Sequence, residues 1–280
     1  MIDETNAFGF DSRTEFLSQH GWRRIQNWRL GIDLVASLRD DMVVDFINAK
    51  SLIKTKIQKF WHIKSPFLDQ CVDANGIEHV RRELEAKSYR FPATRVATPP
   101  RRMAISKNVV AQFIASIMGT TERNRTSIVL PNSFLTNIES SWYKVESAEQ
   151  NSLAYIKGNK LRLDEFWYRL GRWDQAYLFK AFREAVGGLR FSTFNKTVVG
   201  YMQFIGFVSG FHSDVQIVDT EYVVTFYPAA DIVFPKCEFN LFRNKADVSY
   251  NFDITGRKFL VRRNNIISVS SGIKRDRKKQ

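Results

Sequence analysis

From Leu189 to Ser270 the chain reads as a succession of short extended segments, and this limits the possible folds more than any other feature. LRFSTF, TVVGYMQFIGFV, VQIVD, EYVVTFY, CEFNLF, VSYNFDI, KFLVR and IISVS follow one another. They are rich in the β-branched and aromatic residues that suit a pleated, half-buried surface. Gly, Asp-Thr, Pro and Asn-Lys separate them. Short strands at this spacing, with no helix between them, predict an antiparallel sheet or a partly open barrel. Val248, Tyr250, Phe252 and Ile254 alternate with Ser249, Asn251 and Asp253, which predicts one buried and one wet face for that strand.

Before this region the periodicity is helical. LDEFWYRLGRWDQAYLFKAFREAVGG, Leu163 to Gly188, predicts one long aromatic helix closed by Gly187-Gly188. At 3.6 residues per turn Leu163, Phe166, Trp167, Leu170, Trp173, Tyr177, Leu178 and Ala181 share one arc, the predicted core face. Asp174 falls inside that arc and needs a partner there. Tyr168, Arg169, Arg172, Phe179 and Arg183 gather opposite, rings beside guanidinium groups.

From Arg13 to Trp61, three- and four-residue steps through Trp22, Ile25, Trp28, Ile32, Val35 and Leu38 predict helix. Asp40-Asp41 reads as the start of a second helix running toward Phe60. Lys50, Lys54, Lys56 and Lys59 then form its solvated, dipole-matched face. Ser65-Pro66 stops it, Asp73 to Gly76 is a turn, and Ile77 to Ser88 is a further helix. Tyr89 to Arg102 has three prolines, four arginines and no apolar periodicity, so it reads as a linker or basic arm. Ser106 to Met118 predicts a short apolar helix, and Leu153 to Leu163 a hairpin turning at Gly158-Asn159.

The expected class is therefore α+β: a helical N-terminal region, then a mixed domain with a long aromatic helix and a C-terminal antiparallel sheet or partly open barrel. Residues 1–88 form the helical region, 89–105 the Pro-containing linker, 106–271 the sheet domain and 272–280 a flexible basic tail.

The net charge of +13 is unevenly spread. Arg81 to Lys107 holds eight basic and two acidic residues, and Arg243 to Gln280 holds eleven and three. Such clustering favours a polyanionic partner, because each neutralised phosphate releases condensed counterions. No apolar run reaches the roughly 18 residues that span a bilayer. Two distant cysteines argue against a disulfide framework and for a cytoplasmic protein. Phosphate-cradling glycine loops, a GxSxG elbow and an HExxH pair are absent. His62, Cys71 and His79 are too loosely spaced for zinc. No cofactor or metal is expected. QFIGFVSGF, Gln203 to Phe211, lacks the basic-Gly-aromatic order of an RNA-recognition strand, so its rings are assigned to the core.

These observations predict a non-enzymatic protein for RNA or single-stranded DNA, with little sequence specificity. The expected contacts are Arg90, Arg95, Arg101 and Arg102 of the arm; Lys157, Lys160 and Arg162 of the hairpin; and Arg172 of the helix. Arg257, Lys258, Arg262 and Arg263 of the C-terminal strands and Lys274, Arg275 and Arg277 of the tail complete the set. The alternative is a viral shell, virion or scaffold component, assembling as a homo-oligomer with the tail on packaged nucleic acid.

Overall fold

The computed structural model describes residues 9–74, 76–77, 80, 97–99, 105–118, 120–122, 125–131, 143–147, 151–157, 163, 165–229, 237–254 and 258–270. The predicted helical N-terminus is not there. Arg13 to Trp61 instead forms strands β1 (Glu15–Ser18), β2 (Gly21–Arg24), β3 (Val35–Leu38), β4 (Val44–Ile47) and the first part of β5 (Leu52–Ser65). Asp40-Asp41 is the turn between β3 and β4, with Met42 at φ 62°. The helical spacing misled because the tryptophan and isoleucine positions span turns, Gly21 at φ 103° and Gly31 at φ 78° among them. A left-handed glycine restarts the phase of an apolar pattern.

β6 (Leu68–Val72) returns against β5. Helix α1 (Lys107–Met118) follows, with Ser106 Oγ accepting from the Val109 amide at 3.4 Å. Then come β7 (Thr120–Glu122), β8 (Arg125–Pro131), β9 (Tyr143–Ser147) and β10 (Asn151–Lys157), a four-stranded sheet in the order β7-β8-β10-β9. β10 therefore pairs backward, and the predicted turn at Gly158-Asn159 lies outside the described residues.

The aromatic segment is two helices, α2 (Glu165–Tyr168) and α3 (Arg172–Val186), broken at an extended Gly171. The break shifts the helical phase, so the predicted faces change places in part. Trp167, Leu170, Leu178 and Ala181 are buried, but so are Tyr168 and Phe179 of the opposite set. Phe166, Trp173 and Tyr177 are exposed. Asp174 is buried and accepts from the Ile105 amide at 3.3 Å.

β11 (Arg190–Thr193) precedes α4 (Lys196–Val208), which occupies the segment predicted as the longest strand. Asn195 caps it, accepting from the Thr197 amide at 2.9 Å. Every residue from Val198 to Phe207 is buried, and a helix apolar all round belongs inside. β12 (Phe211–Val218) and β13 (Glu221–Pro228) complete the sheet β11-β13-β12 beside it. β14 (Glu238–Phe252), β15 (Lys258–Arg263) and β16 (Ile266–Val269) finish the chain.

β15 and β16 join β1 to β4 in a six-stranded sheet, and β14 forms a separate one in the order β14-β5-β6. The antiparallel C-terminal strands are as predicted, but they are divided among three sheets, and no barrel closes among the described residues. The alternation predicted for Val248 to Ile254 holds only in part: Phe252 and Ile254 are buried as predicted, but so are Ser249 and Asn251, because Gly9 and Phe10 lie along β14 there. A Cβ on Gly9 would stand 2.6 Å from Ser249 Oγ.

Two cores result. The larger surrounds α4 and gathers Phe113, Trp167, Phe182 and Phe226 with Leu17, Leu38 and Leu260 of the six-stranded sheet. The smaller stacks Phe16 edge-on against Phe10, Phe252 and Phe259, at 5.5, 4.9 and 6.2 Å between centroids. Each such pair adds roughly 0.5–1.5 kcal/mol beyond its buried area.

α4 approaches β13 closely because of a glycine. A Cβ on Gly206 would lie 2.6 Å from Phe226 Cε1. Gly206→Ala is therefore expected to lower stability by about 1–3 kcal/mol through overpacking, read as a lower denaturant midpoint. Among the described residues no helix is long and apolar enough to cross a membrane.

Candidate nucleic-acid interface

A long run of uncompensated charge lies in a segment that helical periodicity had hidden. Between Asp45 and Asp69 the chain carries five lysines, Lys50, Lys54, Lys56, Lys59 and Lys64, and no acidic residue. All five are exposed. Ile53, Thr55 and Ile57 supply the β-branched content that makes this stretch extended. Over residues 52–60 β5 has one partner strand, β14. Lys54, Thr55, Lys56 and Lys59 are exposed, so this part of β5 meets water on both faces. Across the two-stranded ribbon Lys54 faces Tyr250, Lys56 faces Val248 and Lys59 faces Arg243. Between Arg243 and Asp247 the register shifts, so that Asn244 to Ala246 bulge opposite Gln58. Two carboxylates lie on the partner strand: Glu238 faces Lys64 at one end, and Asp247 faces Ile57 within the lysine stretch.

Rigid roots hold the ribbon. Phe252 at one end and Phe60 and Ile63 at the other are fully buried. The end near β6 is further held by a polar cluster around Arg263. Its Nε and Nη2 donate to Asp11 at 3.1–3.3 Å, and its Nη1 donates to Asp69 Oδ1 at 2.8 Å. Asn264 Nδ2 donates to the other Asp69 oxygen at 2.9 Å. Burial opposes the guanidinium charge, but Asp11 and Asp69 outweigh it and hold Arg263 above its ordinary pKa. Cys71 lies beside this cluster, and burial, with Asp11 adding to it, pushes its thiol up to about 12. It is therefore no nucleophile at neutral pH.

Arg262 points the other way, as successive strand residues must. Its Nε donates to Glu15 at 2.8 Å and its Nη1 to Gln203 of α4 at 3.0 Å. Its guanidinium also lies 4.8 Å from the Trp22 ring centroid. Gln203 continues the link to Ser213 Oγ at 3.0 Å and to the Asn265 carbonyl. Two adjacent arginines thus join three sheets and a helix: Arg263 fastens β5 and β6 to the six-stranded sheet, and Arg262 fastens that sheet to α4 and β12.

Of the contacts predicted from sequence, Arg262 and Arg263 are 2% and 8% exposed and committed to these carboxylates. Lys258 opens β15 opposite Leu38 and is half-buried. Arg172 is exposed at the start of α3, 5.8 Å from the Trp173 ring centroid. Lys157 ends β10 opposite Arg125. Arg90, Arg95, Arg101, Arg102, Lys160, Arg162, Arg257, Lys274, Arg275 and Arg277 lie outside the described residues. The structure brings none of the described ones into a single patch. The β5 lysines were missed, although the absence of any acid over 23 residues marked them in the sequence. Among the described residues no group of three His, Cys, Asp or Glu is placed to hold a metal ion.

No protein-family model matches the chain, and no curated protein matches it. Solved structures of the homing endonuclease I-DmoI do. The complex with DNA and Mn is 10% identical at a TM-score of 0.29, covering 44% of this chain and 91% of that one. The complex with DNA and Ca is 10% identical at 0.30, covering 44% and 85%. A set of mesophilic variants is 12% identical at 0.29, covering 43% and 90%. A likeness of this size fixes neither topology nor activity. The predicted non-enzymatic binder of RNA or single-stranded DNA, and its shell or scaffold alternative, are nevertheless withdrawn. Arg262 and Arg263, central to that reading, are buried in ion pairs and do not face a partner.

Proposed function

We propose that this protein binds duplex DNA through the β5–β14 ribbon, with the β5 lysines meeting phosphates. The observation that carries the reading is the run of exposed lysines, with no acid among them, along β5. From Lys54 to Lys64 an extended strand covers roughly 33 Å, close to one turn of the duplex at about 34–36 Å. A two-stranded ribbon fits the major groove, about 12 Å wide. The wet stretch Lys54 to Lys59 contains no aromatic residue, whereas single strands are held largely by stacking on rings. Lysines meeting phosphates position a protein without reading sequence.

Fluorescence anisotropy with a duplex of about three helical turns, at a series of salt concentrations, tests this. Lys54→Gln, Lys56→Gln and Lys59→Gln combined should reduce the slope of log affinity against log salt by about 2.7, at roughly 0.9 per phosphate released. The loss should be similar for duplexes of unrelated sequence. An unchanged slope in a folded triple variant would sink the proposal.

A further inference from the structure

His62 lies in β5 at the root of the ribbon, and one atom of its ring is asked for two incompatible contacts. Nε2 lies 3.0 Å from Arg263 Nη1 and 2.9 Å from Asp69 Oδ1. The guanidinium nitrogen only donates and the carboxylate oxygen only accepts. An unprotonated Nε2 accepts from Arg263 and sets its lone pair against Asp69. A protonated Nε2 donates to Asp69 and sets an N–H, on a cationic ring, against Arg263. In each state one contact attracts and the other repels.

We propose that His62 is a proton-operated switch that decides whether the ribbon root is tied to β15, through Arg263, or to β6, through Asp69. The groups that face it are specific. Asp69 and Cys71 come from β6, where Cys71 is its cross-strand partner and Asp69 faces Lys64. Arg263 and Asn264 come from β15 and the turn after it, and Asp11 from the chain before β1. On β14 the cross-strand neighbour is Asn240, and Glu238 faces Lys64. The Cys71 thiol stays neutral near pH 7, so the buried fixed charges of the cluster are one guanidinium against two carboxylates, Asp11 and Asp69. A proton on His62 supplies the second cation.

The imidazole is 25% exposed and Asp69 1%, so protons reach the ring while its carboxylate stays in place. Arg263 keeps Asp11 in both states through Nε and Nη2 and Asp69 through Nη1, and only the Nη1 contact with His62 is released. The element that moves is thus one arm of the guanidinium together with the Asp69–Asn264 bond. This inference goes beyond the DNA reading and holds whether or not the ribbon meets DNA.

An NMR titration of the full chain over the pH range in which it stays folded tests it directly. The unprotonated His62 ring should carry its proton on Nδ1, with Nε2 an acceptor. As the ring protonates, the Arg263 Nη and Asn264 Nδ2 signals should move with the same midpoint. Exchange of the Arg263 Nη1 protons should quicken about tenfold, the worth of one hydrogen bond to a charged group. His62→Phe should leave the Arg263 and Asn264 signals still over this range. If they stay fixed in the wild-type chain while His62 titrates, or move equally in His62→Phe, the switch is disproved. The wild-type measurement decides even where the variant does not fold.

Discussion

Arg263→Ala is expected to cost about 3–5 kcal/mol of stability, the largest loss for any single side chain described above. The magnitude follows from what stays behind. Asp11 and Asp69 are 7% and 1% exposed, and without the guanidinium they face each other as buried carboxylates with no cation between them. A buried charge that loses its partner bears the full desolvation penalty, several times the net worth of the pair. The loss should be local in origin, so amide protection in β5, β6 and β15 should fall before that in α3 and α4. Urea unfolding with hydrogen exchange checks both parts. Replacing the cluster as a unit, with Arg263→Met, Asp11→Leu and Asp69→Leu together, should recover much of the loss, because apolar replacement of a buried ion cluster is often nearly neutral. If the triple variant were no more stable than Arg263→Ala, the cost would lie in lost packing rather than in stranded charge.

Acid should act on a different residue. His212 is buried between the rings of Phe67 and Phe207, at 5.5 and 5.8 Å. Burial lowers its pKa from 6.5 to about 4. Between those values the unfolded chain binds a proton that the folded chain refuses, so stability must fall as pH falls through that window. The full drop from pH 7 to pH 4 is about 3 kcal/mol, at 1.36 kcal/mol per pH unit. Thermal unfolding at several pH values should show it, and His212→Leu should flatten the slope between pH 6.5 and 4. Asp33 behaves in the opposite sense and at lower pH. Burial works against its carboxylate, but Arg29 and Arg23 hold the pKa below its ordinary value. Its contribution is complete above pH 3.8 and is lost only as the medium becomes more acid. The two windows barely overlap, so a slope that His212→Leu leaves unchanged above pH 4 would rule out His212 as its source.

The ribbon lysines and the two arginines show how much of the site was legible. That residues 46–68 hold five lysines and no acid is plain in the sequence. What they do depends on whether the backbone is helical or extended, and Ile53, Ile57 and Phe60 fit three- and four-residue steps while Ile53, Thr55 and Ile57 fit a period of two. Local pattern cannot choose between them when both are satisfied. Pairing with β14, about 190 residues away in sequence, chooses. Arg262 and Arg263 failed in the opposite direction. Their charge was read correctly and their exposure was not, because Glu15, Asp11, Asp69 and Gln203 stand 59 to 252 residues away.

By itself the sequence determined that the C-terminal third is largely antiparallel β, that Ser106 to Met118 is helical, and that the chain carries a large positive charge in clusters. Each of these rests on near neighbours: β-branched runs, a cap, a count of side chains. Only the tertiary structure decided that the N-terminal region is strand, that TVVGYMQFIGFV is the buried helix α4, and which cations face water. Those choices turn on pairing, burial and desolvation between residues far apart along the chain, where contacts formed on folding outweigh local preference.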